Sequence, residues 1–297
     1  PVFFNNVTNF ARLNLGYNID LFFLFIFKIA FITMKKVQLF VLLGLALIII
    51  SCSGFDKLLK SRDYPLMYKK ALEYYEKKDH YRYTTLFEQL VPIYKGTLQA
   101  DTVEFFLAEG YFHQGDYLLA AHYFDRFRRN YPRSQFTEQS EFMYAFCFYK
   151  SSPRPLLDQE TTQTAIVAFT EFIAKYPRST KKAEVNRIMI ELRDKQIDKS
   201  YLSSKLYFDM RDYRAAITSI KNSMIQFPDS KYREEQLFMV LQASFHLADN
   251  SVPERRRERF QNTLDEYYNL LGEFPETRFK READRIFANS MKVIDNQ

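Results

Sequence analysis

The side chains best equipped for chemistry in this sequence are its cysteines, histidines and carboxylates, and their spacing argues against catalysis. The four histidines, His80, His113, His122 and His246, form no i,i+4 pair and have no neighbouring Cys ligand, so no zinc template is spelled out. Phosphate loops, dinucleotide fingerprints and nucleophile elbows are missing from the sequence. The carboxylates fall beside Lys and Arg at helical spacing, as on solvated helix faces. No catalytic residue, no metal ligand and no cofactor is expected, and the chain reads as a non-enzyme. Cys147 lies among Phe146, Phe148 and Tyr149, where a buried and inert thiol is expected.

Cys52 is different. It follows Ile49-Ile50-Ser51 at the end of an apolar run, Val37–Ile50, that opens behind Met34-Lys35-Lys36. That run has 14 residues, too short to span a bilayer comfortably but right for the apolar part of a secretion signal. The pattern resembles the lipobox of bacterial lipoproteins, whose cysteine is diacylated on sulfur and acylated, with palmitate for example, on its new amino terminus. Such chains, at about 0.8 kcal/mol per buried methylene, anchor permanently. A covalent lipid on Cys52 is therefore expected, and it would leave Cys147 without a disulfide partner. Ser53 in place of Asp, with no acidic run after Cys52, points to the outer membrane and its periplasmic face. The organisation expected is residues 1–33 as translated upstream sequence, 34–51 as signal peptide, 52–62 as tether and 63–297 as the folded part.

A composition of 7 Gly and no Trp beside 21 Tyr and 30 Phe favours long helices with aromatic packing over a turn-rich sheet. With the first 51 residues set aside, 38 basic and 35 acidic residues remain, a net charge of about +3. That balance, with no concentrated basic stripe, gives no sign of nucleic-acid binding; Arg255-Arg256-Arg257 is flanked by Glu254 and Glu258 and reads as a solvated face.

Four punctuation marks recur: Tyr131-Pro132-Arg133-Ser134, Tyr176-Pro177-Arg178-Ser179, Phe227-Pro228-Asp229-Ser230 and Phe274-Pro275-Glu276-Thr277, with Pro-to-Pro steps of 45, 51 and 47 residues. Proline ends the preceding helix, and the Ser or Thr two places on is expected to cap the next. Between the marks, Ala108 and Tyr111, then Gly115-Asp116-Tyr117, then Ala120, Phe124 and Phe127 match the tetratricopeptide pattern of small residues at helix crossings and large ones filling gaps. A shift of 37 carries the roles to Ala71, Tyr74, Asp79, Phe87 and Leu90, and forward to Ala145 and Phe148. Phe169 and Phe172 repeat Phe124 and Phe127 after an inserted loop, Ser151–Glu160. Asp212-Tyr213, Ala216 and Ile220 mark a fourth hairpin, fed by one extended helix from about Thr180 to Met210. A fifth covers roughly Lys231–Phe274, and Arg278–Ile294 caps the end. The fold class is all-α, a solenoid of about five tetratricopeptide-type (TPR) hairpins.

In such hairpins the first helix lines the concave surface. Core roles at Ala71 and Tyr74 rotate Tyr68, Leu72 and Tyr75 toward that groove, and core roles at Ala108 and Tyr111 do the same for Phe105, Glu109 and Phe112. Four aromatics and a carboxylate would suit an extended or helical peptide, although the same residues are equally suited to covering the neighbouring hairpin.

The lipobox, the boundary motifs at Tyr131-Pro132, Tyr176-Pro177 and Phe227-Pro228, and the run Lys195–Tyr213 followed by Arg214-Ala215-Ala216-Ile217 together resemble the BamD family, the lipoproteins of the outer-membrane β-barrel assembly machinery. The resemblance runs from Cys52 to the end. It implies C-terminal hairpins that dock on the POTRA domains of a BamA-like outer-membrane barrel protein, and an N-terminal groove that meets aromatic-ended segments of unfolded outer-membrane proteins. Two departures stand out: Lys95-Gly96 replaces the closing Pro of the first hairpin, and the third carries the Pro-rich loop. Two other readings share the repeats, a periplasmic TPR adaptor of the envelope or division machinery and a glycan-binding TPR lipoprotein of a nutrient importer. The first is expected to carry a coiled-coil segment and the second long insertions, neither of which is seen here.

Overall fold

A computed structural model describes residues 54–296. Cys52, the signal region and residues 1–33 lie outside the described residues. Every regular element among the described residues is helical: α1 (54–61), α2 (Tyr64–Glu76), α3 (His80–Tyr94), α4 (Ala100–His113), α5 (Tyr117–Asn130), α6 (Thr137–Ser151), α7 (Glu160–Lys175), α8 (Lys182–Asp209), α9 (Tyr213–Gln226), α10 (Arg233–Asp249), α11 (Pro253–Glu273) and α12 (Lys280–Asp295). The chain divides into two compact units, one ending at Lys77 and one beginning at Lys78, so the two helices of the first expected hairpin belong to different units.

The first unit holds α1 and α2. The expected tether is helical from residue 54 to 61, because Phe55, Leu58 and Leu59 fall at helical spacing and the Phe55 ring meets Tyr74 of α2 edge-on at 5.9 Å. Met67 and Ala71 are the buried positions of α2.

In the second unit each helix packs on the next one along the chain, the pattern of a TPR-type solenoid. Ala108, Ala120, Ala145 and Ala216 are fully buried, and so are Phe87, Phe124, Phe169 and Ile220. At Gly110 a Cβ would lie 2.0 Å from Thr84 Oγ1 and 2.8 Å from Tyr83 Cε2, so α3 and α4 approach with no room for a methyl group. Phe148, given a core role by register, is half-buried and edges Tyr144 at 5.1 Å. α3 runs through Pro92, and Gly96 takes the left-handed φ of 81° that ends the segment where the closing Pro is missing. α8 is one unbroken helix of 28 residues.

The boundary motifs work differently from a simple cap. Ser134 Oγ accepts the N–H of Phe136 at 3.2 Å, Ser179 that of Lys181 at 3.1 Å, Ser230 that of Tyr232 at 3.2 Å and Thr277 that of Phe279 at 3.3 Å. The hydroxyl thus braces the turn before the helix, and the helix N-cap is the next large residue: Phe136, Lys181, Tyr232 or Phe279.

Candidate peptide-binding surface

Those four N-cap residues lie back on the first helix of the preceding hairpin. Phe136 stacks on Phe105 at 4.6 Å, Tyr232 on Tyr201 at 3.9 Å and Phe279 on Phe238 at 4.2 Å, while Lys181 Nζ stands 4.2 Å over Phe142. The four covered rings hold one position of the repeat, at steps of 37 from Phe105 to Phe142 and from Tyr201 to Phe238. All are buried. Phe105, expected in the groove, is therefore a packing residue: it is 3% exposed and also meets Phe124 and Phe127 within 6 Å. Removing it from its neighbours would open the joint between two hairpins.

One and two turns further along the same helices the environment changes. Phe112 is half-buried at the end of α4, tilted against Tyr117 at 5.4 Å and against Phe146 of α6 at 5.8 Å. Phe146, also half-buried, meets Tyr149 at 5.5 Å, and Lys150 Nζ lies 5.2 Å from its centroid. The Tyr149 hydroxyl donates to Glu191 of α8 at 2.6 Å. That bond first, and burial second, raise the Tyr149 phenol above its ordinary value and keep it a donor. Phe112, Phe146 and Tyr149 thus form a continuous aromatic row across α4 and α6, with a cation and a carboxylate at its far end. Phe146 and Tyr149 are the residues that Glu109 and Phe112 become when the shift of 37 is applied once more, so the repeat held the signal for them. Glu109 is half-buried on α4.

Tyr68, Leu72 and Tyr75 are half-buried on one face of α2, in the other compact unit. In α8 and α10 the equivalent positions are Lys205 with Phe208 and Gln242 with Phe245. Lys205 pairs with Asp209 at 2.8 Å and Gln242 donates to Glu282 at 3.1 Å. Phe208 and Phe245 are half-buried rings like Phe112 and Tyr149, but the polar Lys205 and Gln242 stand where Phe146 links the rings of α4 and α6.

Among the described residues no group of three or more His, Cys, Asp or Glu stands ready for a metal ion. His80 and His113, which are 33 apart in sequence, stack at 4.5 Å; burial and the positive charge of its neighbours depress the His113 imidazole. Cys147 is fully buried, and burial pushes its thiol up to about 12, which removes it as a nucleophile. No helix among the described residues is long and apolar enough to cross a membrane.

The same segment of chain, residues 62–260, matches the YfiO family, described as an outer membrane lipoprotein. The chain belongs to the YfiO family. Two relatives of this BamD type show how widely members differ. The outer membrane protein assembly factor BamD of Pasteurella multocida is 23% identical over 178 residues, 57% of this chain and 65% of that protein. A putative outer membrane protein assembly factor BamD of Aquifex aeolicus is 27% identical over 259 residues, covering 86% of this chain and 82% of the relative. For this YfiO member the family match takes in α2 to α10 and the start of α11, and with them the whole aromatic row.

Proposed function

We propose that this chain is a non-catalytic subunit of an outer-membrane β-barrel assembly complex, held at the periplasmic face of the outer membrane by acyl chains on Cys52. Its first-helix row of Phe112, Phe146 and Tyr149 receives aromatic-ended segments of unfolded outer-membrane proteins. Its C-terminal hairpins dock on a BamA-like barrel protein through POTRA domains. The observation that carries this reading is the half-exposed aromatic row in a chain of the YfiO family. Rings held by their aromatic neighbours on α4 and α6 lose little entropy on binding and suit the side chains of an extended strand, with Lys150 beside Phe146 suited to a terminal carboxylate.

The relatives' names as outer-membrane assembly factors support the same assignment. Purification of the tagged chain from detergent-solubilised membranes tests it. Co-purification with an outer-membrane barrel carrying POTRA domains is expected. A peptidoglycan-linked complex, or a barrel importer that binds polysaccharide, would overturn it in favour of the envelope-adaptor or glycan-binding readings. Mass spectrometry of the processed chain is expected to find Cys52 as its lipid-modified first residue; an unmodified Cys52 would contradict the anchor.

A further inference from the structure

α1 and α2 carry chemistry that the peptide row does not use. A short turn joins them: Ser61 Oγ donates to Leu58 O at 2.8 Å and accepts the Asp63 N–H at 3.2 Å, Arg62 takes a left-handed φ of 55°, and Asp63 caps α2 by accepting the Leu66 N–H at 3.1 Å. An open cavity of about 420 Å³ lies against both helices. Leu58, Leu66 and Tyr74 give it an apolar wall, and Lys57, Lys70 and Lys77 give it a cationic one. Lys70 is paired with Glu73 at 2.7 Å, whereas Lys57 and Lys77 make no ion pair among the described residues. Along α2 and its C-cap, Leu66, Lys70, Glu73 and Lys77 of this wall recur at steps of four, three and four, with Tyr74 beside Glu73. Tyr68, Leu72 and Tyr75 begin two residues later, roughly 200° around the helix at about 100° per residue. The basic cavity and the expected peptide face therefore lie on opposite sides of α2.

An apolar wall beside three ammonium groups and the single carboxylate of Glu73, which is paired with Lys70, carries a net positive charge and fits a ligand that joins a phosphate anion to hydrocarbon. Lys57 is five residues from Cys52, so at about 3.3–3.6 Å per residue the cavity's edge stands no more than roughly 18 Å from the anchor position. We propose that this cavity binds the headgroup phosphate of an anionic phospholipid in the leaflet that holds the acyl chains. The proposal rests on the acylation of Cys52 for its place in the cell, but not for the binding itself. A lipid anchor combined with a basic patch fixes orientation as well as attachment, which acyl chains alone on a free tether do not. Seated in this way, α1 and α2 would turn the face of Tyr68, Leu72 and Tyr75 away from the bilayer.

Co-sedimentation of the processed chain from residue 52 onward, with Cys52→Ser so that no acyl chain contributes, tests the cavity separately from the anchor. Binding is expected to vesicles containing phosphatidylglycerol and not to vesicles of phosphatidylcholine alone. Lys57→Gln with Lys77→Gln is expected to weaken binding about tenfold or more, from the loss of two surface-proximal cations. The control, Lys60→Gln with Lys69→Gln, removes the same charge from residues of the same unit outside the cavity and is expected to keep most of the binding. All four lysines are exposed, so folding is not at stake, and circular dichroism confirms it. Equal loss in both pairs would mean diffuse attraction and overturn the cavity, as would equal binding to both kinds of vesicle or none to either. Excess inorganic phosphate is expected to leave vesicle binding in place; full displacement by it would assign the cavity to free phosphate instead. Failure of acylation would appear in the mass spectrum and leave these vesicle results unchanged.

Discussion

The second and third hairpins (α4 to α7) and the fourth and fifth (α8 to α11) share one packing scheme and differ in what they present. In both halves a ring on the first helix, Phe105 and Phe142 or Tyr201 and Phe238, is covered by the N-cap residue of the next hairpin. Two turns along, both halves hold a half-buried ring, Phe112 and Tyr149 or Phe208 and Phe245; the halves differ one turn along, where Glu109 and Phe146 stand against Lys205 and Gln242. The boundary motifs differ in step with this. Tyr131 donates to Glu104 at 2.9 Å and Tyr176 to Glu141 at 3.3 Å, but the later motifs carry Phe227 and Phe274, and the positions of the two glutamates hold Ser200 and Leu237. Hydroxyl and carboxylate are present together or absent together, and each carboxylate also holds a cation, Arg126 on Glu104 and Lys175 on Glu141. The positions that repeat unchanged build the solenoid, and those that vary between halves are the ones to which the proposed function assigns different partners.

The largest expected effect separates these two classes. Phe105→Ala should cost about 3–5 kcal/mol in stability by leaving a cavity between hairpins, measured by urea denaturation of the processed chain. Phe112→Ala should cost much less in the same assay, and equal costs would erase the distinction between packing and row. Next, Phe112→Ala with Phe146→Ala should weaken binding of an aromatic-ended strand peptide by about 2 kcal/mol per anchor if both are hot spots, while capture of the POTRA-bearing partner is kept. Loss of both partners in a folded variant would assign the two rings to packing. Gly110→Ala should destabilise by about 1–3 kcal/mol because α3 and α4 must move apart, and an unchanged melting temperature would contradict the crossing.

The smallest effect concerns the boundary motifs. Burial and the bond to Glu104 raise the Tyr131 phenol from 10.0 to about 12 in the folded chain. A group whose folded value is raised stabilises the fold below its unfolded value and loses that contribution as pH rises through the folded one. Stability from Tyr131 should therefore fall between about pH 10 and 12, and Tyr131→Phe should flatten that loss while costing about 1 kcal/mol at neutral pH. A variant with the unaltered alkaline profile would show that the hydroxyl is not bonded in the fold. Phe227 has no hydroxyl, so its motif should add no such loss.

The hairpins were legible in the sequence because proline, alanine and large aromatics each act locally: Pro132, Pro177 and Pro228 stop helices, and Ala108, Ala120 and Ala216 mark crossings. The candidate surface was legible only in part. Helical rotation places Phe105 and Phe112 on one face, seven residues apart, and cannot tell that Phe136, from the next hairpin, covers the first and not the second. Gly110 was missed because its meaning depends on Thr84 and Tyr83 of another helix. Phe146 and Tyr149 were within reach of the repeat register. The stacked pair His80 and His113 was not, since no spacing rule links side chains 33 residues apart.

The central claim, that the two halves serve different partners, is tested most directly by photo-crosslinking in cells. A crosslinking amino acid is placed in turn at Phe112, Phe146 and Tyr149 in the first half and at Phe208 and Phe245 in the second. Capture of unfolded outer-membrane protein is predicted from the first three positions and not from the last two. Capture of substrate with equal yield from Phe208 and Phe245 would contradict the account.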